Sequence, residues 1–202
     1  MKKFVLAVVV LALVVAVGNV SSAAGKMALS VGGDVLIPMG TFADGASTGF
    51  GGSVRFQYDF TPMFSAGITS GYYTWSGKDQ TVLGATIKGV SLKGVPARAF
   101  GKYYFMPAGG ARVYGIAELG VFFSSVTVPS QTVTIGGVSV TTPEASASST
   151  DFNYAPGLGV ELPLGSGNAK IDVSARYDGI ATSGSTSGSV GGRVGVTFGL
   201  GN

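Results

Sequence analysis

The sequence predicts an all-β protein, an eight-stranded antiparallel up-and-down transmembrane β-barrel preceded by a cleaved signal peptide. Apolar and polar side chains alternate along about eight segments of about ten residues each, the length that a tilted membrane strand requires. Charged residues make up only 11% of the chain, against about a quarter in soluble domains. Connections between the segments alternate between long and short. Because lipid offers no hydrogen-bond partner to an open sheet edge, such strands must close into a barrel.

The alternation is clearest in residues 49–60. Phe50, Val54 and Phe56 fall on one side of an extended chain, and Arg55 and Asp59 fall on the other. Successive side chains of a strand point to opposite faces of the sheet. The segment therefore has an aromatic face suited to lipid and a charged face suited to a lumen.

Eight strands are predicted from this pattern, and we expect Pro38 to end the first. Outer-membrane barrels have short turns on the periplasmic side and longer loops outside, which places both termini in the periplasm. Within the longest loop, Gly136-Gly137 between two alternating Val/Thr runs predicts a β-hairpin. The predicted strands cover about 27–37, 49–60, 64–75, 94–105, 112–123, 152–162, 170–178 and 189–198, with long loops near 38–48, 76–92, 124–151 and 181–188.

Aromatic residues gather near the predicted strand ends, as in the two interfacial girdles of membrane barrels. The set near the short turns is Tyr58, Phe60, Phe64, Tyr103, Phe105 and Phe198, and the set near the long loops is Phe50, Tyr72, Trp75, Phe123 and Tyr154.

The N-terminus predicts a signal peptide over residues 1–24. Lys2 and Lys3 precede an apolar run, and small residues follow it up to Ala24. The apolar run of about 14 residues is shorter than the roughly 20 that a spanning helix needs. We expect cleavage after Ala24, so that the barrel occupies residues 25–202.

The chain contains no cysteine and no histidine. This excludes disulfides, Cys/His zinc sites and catalysis by a thiol or an imidazole, so that no enzyme activity, metal or cofactor is predicted. Net charge is +3, and without Lys2 and Lys3 the balance is 11 − 10 = +1. No basic cluster predicts nucleic-acid binding.

With its signal peptide, eight alternating strands and four long loops, the chain resembles the eight-stranded outer-membrane barrels of the OmpA/OmpX type. The resemblance covers residues 25–202 and implies a monomer in the outer membrane of a Gram-negative cell. It also implies contact with lipid and lipopolysaccharide, insertion by the barrel-assembly machinery, and contact with any extracellular ligand or host surface through the loops. Members often end in a terminal Phe, whereas four residues follow Phe198 here.

The predicted inward faces collect charged residues. The interior of an eight-stranded barrel is just wide enough for side chains to fill, so these charges must pair with one another. We expect Glu118 to pair with Arg98, Lys102 or both. The predicted interior charge network is Asp34, Arg55, Arg98, Lys102, Glu118, Glu161, Asp172, Arg176 and Arg193.

The function predicted first is a structural or surface-interaction barrel with a charge-paired, closed interior and exposed loops. Two alternatives stay open at this point. The same interior charges suit a small gated ion channel, and the same alternation turned inside out suits a soluble, lipocalin-like barrel with an apolar cavity. The low charge content and the alternating loop lengths favour the membrane barrel.

Overall fold

A closed antiparallel barrel dominates the computed structural model, which describes residues 26–82, 85–106, 110–135, 138–165, 168–182 and 184–200. The predicted signal peptide, residues 1–24, lies outside these ranges. In chain order the elements are β1 (Lys26–Met39), α1 (Thr41–Gly45), β2 (Gly49–Thr61), β3 (Phe64–Trp75), β4 (Gln80–Val82), β5 (Ala85–Ile87), β6 (Ser91–Tyr104), β7 (Arg112–Val128), β8 (Gln131–Ile135), β9 (Val138–Thr142), β10 (Ala145–Pro163), β11 (Ala169–Thr182) and β12 (Ser185–Gly199).

Eight strands form the barrel, and the predicted architecture is confirmed. Their order around the wall is β1, β12, β11, β10, β7, β6, β3 and β2, with β2 closing onto β1, and every neighbouring pair is antiparallel. The remaining strands form two small ribbons, β4 with β5 and β8 with β9. The second ribbon confirms the hairpin predicted within the longest loop. We call the end with the ribbons and α1 the loop end, and the end with the short turns the turn end.

The barrel strands extend further at the loop end than predicted. β7 and β10 stay paired out to Val128 and Ala145, so much of the predicted loop 124–151 is a continuation of the sheet. β11 and β12 pair out to Thr182 and Ser185, so most of the predicted loop 181–188 is also sheet. Beyond the membrane the outward side chains need not be apolar. The hydroxyl residues that indicated loops are compatible with continued strands there.

Pro38 does not end β1, and that prediction is wrong. The strand continues to Met39. Its pairing with β2 ends earlier, at Leu36. Beyond that point β1 has one neighbour, with Pro38 opposite Ser189 of β12. A proline is tolerated in a strand where one side needs no backbone hydrogen bond.

Large apolar side chains cover the outside of the wall. Phe50, Leu158 and Val194 are each more than half exposed, although such residues usually lie in cores. The girdle residue Trp75 is 2% exposed and lies inside, so its predicted place in the outer girdle is wrong. Tyr72 is exposed and three residues earlier in the strand, which puts Trp75 on the opposite, inward face together with Tyr73.

Helix α1 lies at the loop end, where Phe42 packs edge to face against Trp75 with ring centroids 5.9 Å apart. Across the part of the chain described, no helix is long and apolar enough to span a membrane.

Glycines inside the wall make room for large neighbours. A Cβ atom at Gly67 would lie 1.9 Å from the carbonyl oxygen of Phe56 and 2.8 Å from the ring of Phe100. At Gly33, on the outer face, a Cβ atom would meet nothing within 4 Å. The interior is thus filled by large side chains placed against glycines.

Gly67→Ala is expected to destabilise the barrel, because the added methyl group overlaps backbone that cannot move freely. Overpacking of this kind costs about 1 to 3 kcal/mol. Gly33→Ala is the matched control and should be close to neutral. Urea unfolding in lipid vesicles, followed by the fluorescence of the single tryptophan, Trp75, measures both. Equal midpoints for the two variants would contradict the packing described.

Candidate functional site

The lumen of the barrel holds the candidate site. All nine charged residues predicted for the interior lie there, and none is more than 3% exposed. They come from seven of the eight barrel strands: Asp34 from β1, Arg55 from β2, Arg98 and Lys102 from β6, Glu118 from β7, Glu161 from β10, Asp172 and Arg176 from β11, and Arg193 from β12.

Glu118 lies between two guanidinium groups. Its Oε1 is 2.6 Å from Nη2 of Arg55, and its Oε2 is 3.2 Å from Nε of Arg98. Of the two partners expected for Glu118, Arg98 makes the contact and Lys102 does not. Lys102 lies nearer the turn end, where its ammonium is 2.9 Å from Glu161 and 3.0 Å from Asp172.

Asp172 connects three cations. Its Oδ1 is 3.1 Å from Arg193 and 3.6 Å from Arg55, and its Oδ2 accepts from Lys102 and, at 2.9 Å, from the hydroxyl of Tyr114. A carboxylate with this many donors needs no water to complete its shell.

A second cluster lies nearer the loop end. Arg176 contacts Asp34 at 2.8 Å and Asp178 at 2.7 Å, and Asp178 also contacts Arg98 at 2.6 Å. The hydroxyl oxygen of Tyr73 accepts hydrogen bonds from both Arg98 and Arg176.

Sequence reasoning missed Asp178 as a member of the network. Its position in β11 has the same parity as Asp172 and Arg176, so the alternation placed it on the correct face. Its burial was not predicted because it is the last residue of the predicted strand. The hydrogen bonds of three tyrosines to the network were also not predicted, because an aromatic residue in a barrel strand more often indicates a lipid contact. These residues are Tyr73, Tyr104 and Tyr114.

Ion pairs between buried side chains join ten residues into one connected network with balanced charge. Each member lies within 3.6 Å of an opposite charge. Among these buried members five cations face five carboxylates, so 5 − 5 = 0. The partly exposed Lys170 lies outside this set and contacts Glu161 at 3.3 Å. The cations are Arg55, Arg98, Lys102, Arg176 and Arg193, and the carboxylates are Asp34, Glu118, Glu161, Asp172 and Asp178.

Hydroxyl groups add hydrogen bonds to the network beside the ion pairs. Ser53 donates to Asp34 at 2.6 Å and accepts from Nε of Arg193 at 2.9 Å. Ser30 accepts from Nη2 of Arg193, and Tyr104 donates to Glu161. These bonds reduce the cost of burying the ions. Some network atoms still have no hydrogen bond of suitable geometry within the described part of the chain: Oδ1 of Asp34, Nε and Nη1 of Arg55, Nε of Arg98 and Oε2 of Glu118.

An apolar layer, which we call the aromatic cap, closes the lumen above the network at the loop end. It consists of Leu36, Ala46, Tyr73, Trp75, Phe122 and Ile180, with Phe42 of α1 and Leu92 packed on it. The cavity left between the cap and the network is about 10 Å³, which is at most the space for one water molecule.

The side chains of the network and of the aromatic cap fill the lumen. In the ranges that the structure describes, no group of three or more acidic side chains is placed to hold a metal ion. The inward face is charged and the outward face apolar, so the apolar-lined cavity of the lipocalin-like alternative is not formed.

Comparison with known proteins supports the fold and gives no relative by sequence. No protein-family model matches the chain, and no curated protein matches it. Among solved structures, Neisserial surface protein A is similar to this chain with a TM-score of 0.57 and 16% identity, covering 87% of this chain and 99% of its own.

Two further solved structures are similar to this chain. A major outer membrane protein of Thermus thermophilus has a TM-score of 0.57 and 16% identity, over 88% of this chain and 100% of its own. Ail, the attachment invasion locus protein of Yersinia pestis, has a TM-score of 0.51 and 16% identity, over 88% and 100%. The chain therefore has the fold of the eight-stranded outer-membrane β-barrels.

Proposed function

We propose that this protein is a structural, surface-presenting barrel of the outer membrane, with a closed interior and its loop end outside the cell. The observation that carries the proposal is the balanced network of ten buried charges beneath the aromatic cap. A lumen filled by opposite charges in contact leaves no continuous aqueous path. The apolar outer wall supports the membrane location.

The surface that the barrel would present is the extension of β7 and β10. β10 pairs with β11 only from Phe152 onward, so residues 145–151 have a neighbouring strand on the β7 side alone. An unpaired strand edge offers backbone N–H and C=O groups to another chain. We infer that an extracellular partner would meet this exposed, Ser/Thr-rich sheet. The attachment role in the name of the Yersinia pestis neighbour supports the same inference.

The ion-channel alternative rests on the same charges. For ions to pass, the contacts around Glu118 and Asp178 would have to open and the aromatic cap would have to move. The 10 Å³ cavity and the equal numbers of cations and carboxylates favour the closed barrel.

Removing one charge from the network is expected to destabilise the barrel. Glu118→Gln removes one negative charge at nearly constant size and leaves Arg55 and Arg98 with one carboxylate contact each. Breaking a buried ion pair costs about 3 to 5 kcal/mol. Urea unfolding in lipid vesicles should show a loss of this size. Glu144→Gln, in an exposed position of the loop end, is the control and should unfold like the wild type. Equal stability of the two variants would show that the network is dispensable.

Cysteine labelling on cells tests the proposed orientation. Because the chain has no cysteine, single-cysteine variants report one position each. Ser148→Cys in the exposed sheet should react with a membrane-impermeant maleimide on intact cells. Met63→Cys, at a short turn, should react only after the outer membrane is permeabilised. The reverse pattern would invert the proposed orientation.

A further inference from the structure

As far as the described residues form it, the turn end of the barrel is open, in contrast to the capped loop end. A cavity of about 580 Å³ there is lined in part by Lys26, Asp59, Arg112 and Lys170, and we call it the turn-end basin. Ligand sites in proteins have volumes of about 300 to 1,000 Å³. The basin is therefore large enough for a small molecule, whereas the cavity under the aromatic cap is not.

The basin carries an excess of positive charge. The ten-residue network is neutral by itself and includes none of the four basin residues named. The described lining of the basin contains three cations, Lys26, Arg112 and Lys170, and one carboxylate, Asp59. One oxygen of Asp59 already accepts hydrogen bonds from Gln57 at 2.7 Å and from Ser65 at 2.6 Å. Lys170 contacts Glu161 at 3.3 Å, yet about a third of its side chain is exposed. Charge complementarity points to an anion as the occupant.

Arg112 is held in place before any ligand arrives. Its guanidinium lies over the ring of Tyr104, 3.5 Å from the centroid, and its Nη2 donates to the carbonyl oxygen of Pro62 at 2.8 Å. The residue is only 6% exposed, and among the described residues its Nε has no hydrogen-bond partner. An unpaired buried donor is costly. Arg112 also lines the basin, so an oxyanion bound there would meet this preplaced side chain.

We propose that the turn-end basin binds the phosphate or carboxylate oxyanion of a small molecule, with Arg112 and Lys170 as the contacting residues. The planar fork of an arginine fits the paired oxygens of these groups, and a lysine adds a point charge. In the orientation proposed above, the basin faces the periplasm. A soluble metabolite and the headgroup of an inner-leaflet phospholipid both carry this chemistry.

Binding is tested with the folded, full-length mature barrel in dodecyl maltoside micelles, whose sugar headgroups carry no charge. Glycerol 3-phosphate is titrated in by isothermal calorimetry. We expect saturable binding. Arg112→Gln should weaken the affinity about tenfold or more, since a hydrogen bond to a charged group has about this effect. Lys170→Gln should weaken it as well, and Lys93→Gln, exposed in the loop-end half of β6, should not.

Two measurements complete the test. The cold and heated gel mobilities of each variant report whether it is folded, and Lys170→Gln serves if Arg112→Gln does not fold. Phosphatidylglycerol added to the micelles distinguishes the sources. If phosphatidylglycerol competes with glycerol 3-phosphate, the basin binds a lipid headgroup. If phosphatidylglycerol does not compete, the basin binds a soluble anion. No saturable binding, or binding that neither basin substitution weakens more than Lys93→Gln does, would overturn the proposal.

Discussion

The pairing of opposite charges inside a lumen filled by side chains is the constraint on which the rest of this structure depends. Moving an isolated ion out of water costs several kcal/mol even after the protein relaxes. In this barrel each of the ten network members lies within 3.6 Å of an opposite charge. Because partners come from strands far apart in sequence, such as Arg55 with Glu118 or Arg98 with Asp178, the contacts require the completed barrel.

Packing follows from the same constraint. Long guanidinium and phenol side chains that cross the lumen leave no room for side chains on the neighbouring wall, and glycines occupy those positions. A Cβ atom at Gly51 would lie 2.1 Å from the ring of Tyr73, and one at Gly32 would lie 2.8 Å from the guanidinium of Arg193. The high glycine content, 34 residues in 202, is thus partly a consequence of the charged filling.

Alternation along single strands was sufficient to predict the fold and the face on which each charge lies, because parity determines the direction of a side chain. Parity says nothing of depth along the barrel axis or of the stagger between strands. For this reason the partner of Lys102 and the membership of Asp178 were not predicted. Trp75 was misplaced because its residue type suggested a girdle although its parity, shared with Tyr73, indicated the lumen. The loop-end bounds were missed because strands beyond the membrane lose the apolar outer face.

The most direct test of a closed, charge-paired interior is the conductance of the wild-type barrel in a planar lipid bilayer. Folded protein, verified by its gel mobility before and after the recording, should show no steady ion current at either polarity. The network and the aromatic cap must both rearrange before an ion can pass. Reproducible, ion-selective openings that change in selectivity with Glu118→Gln would contradict this account and favour the channel.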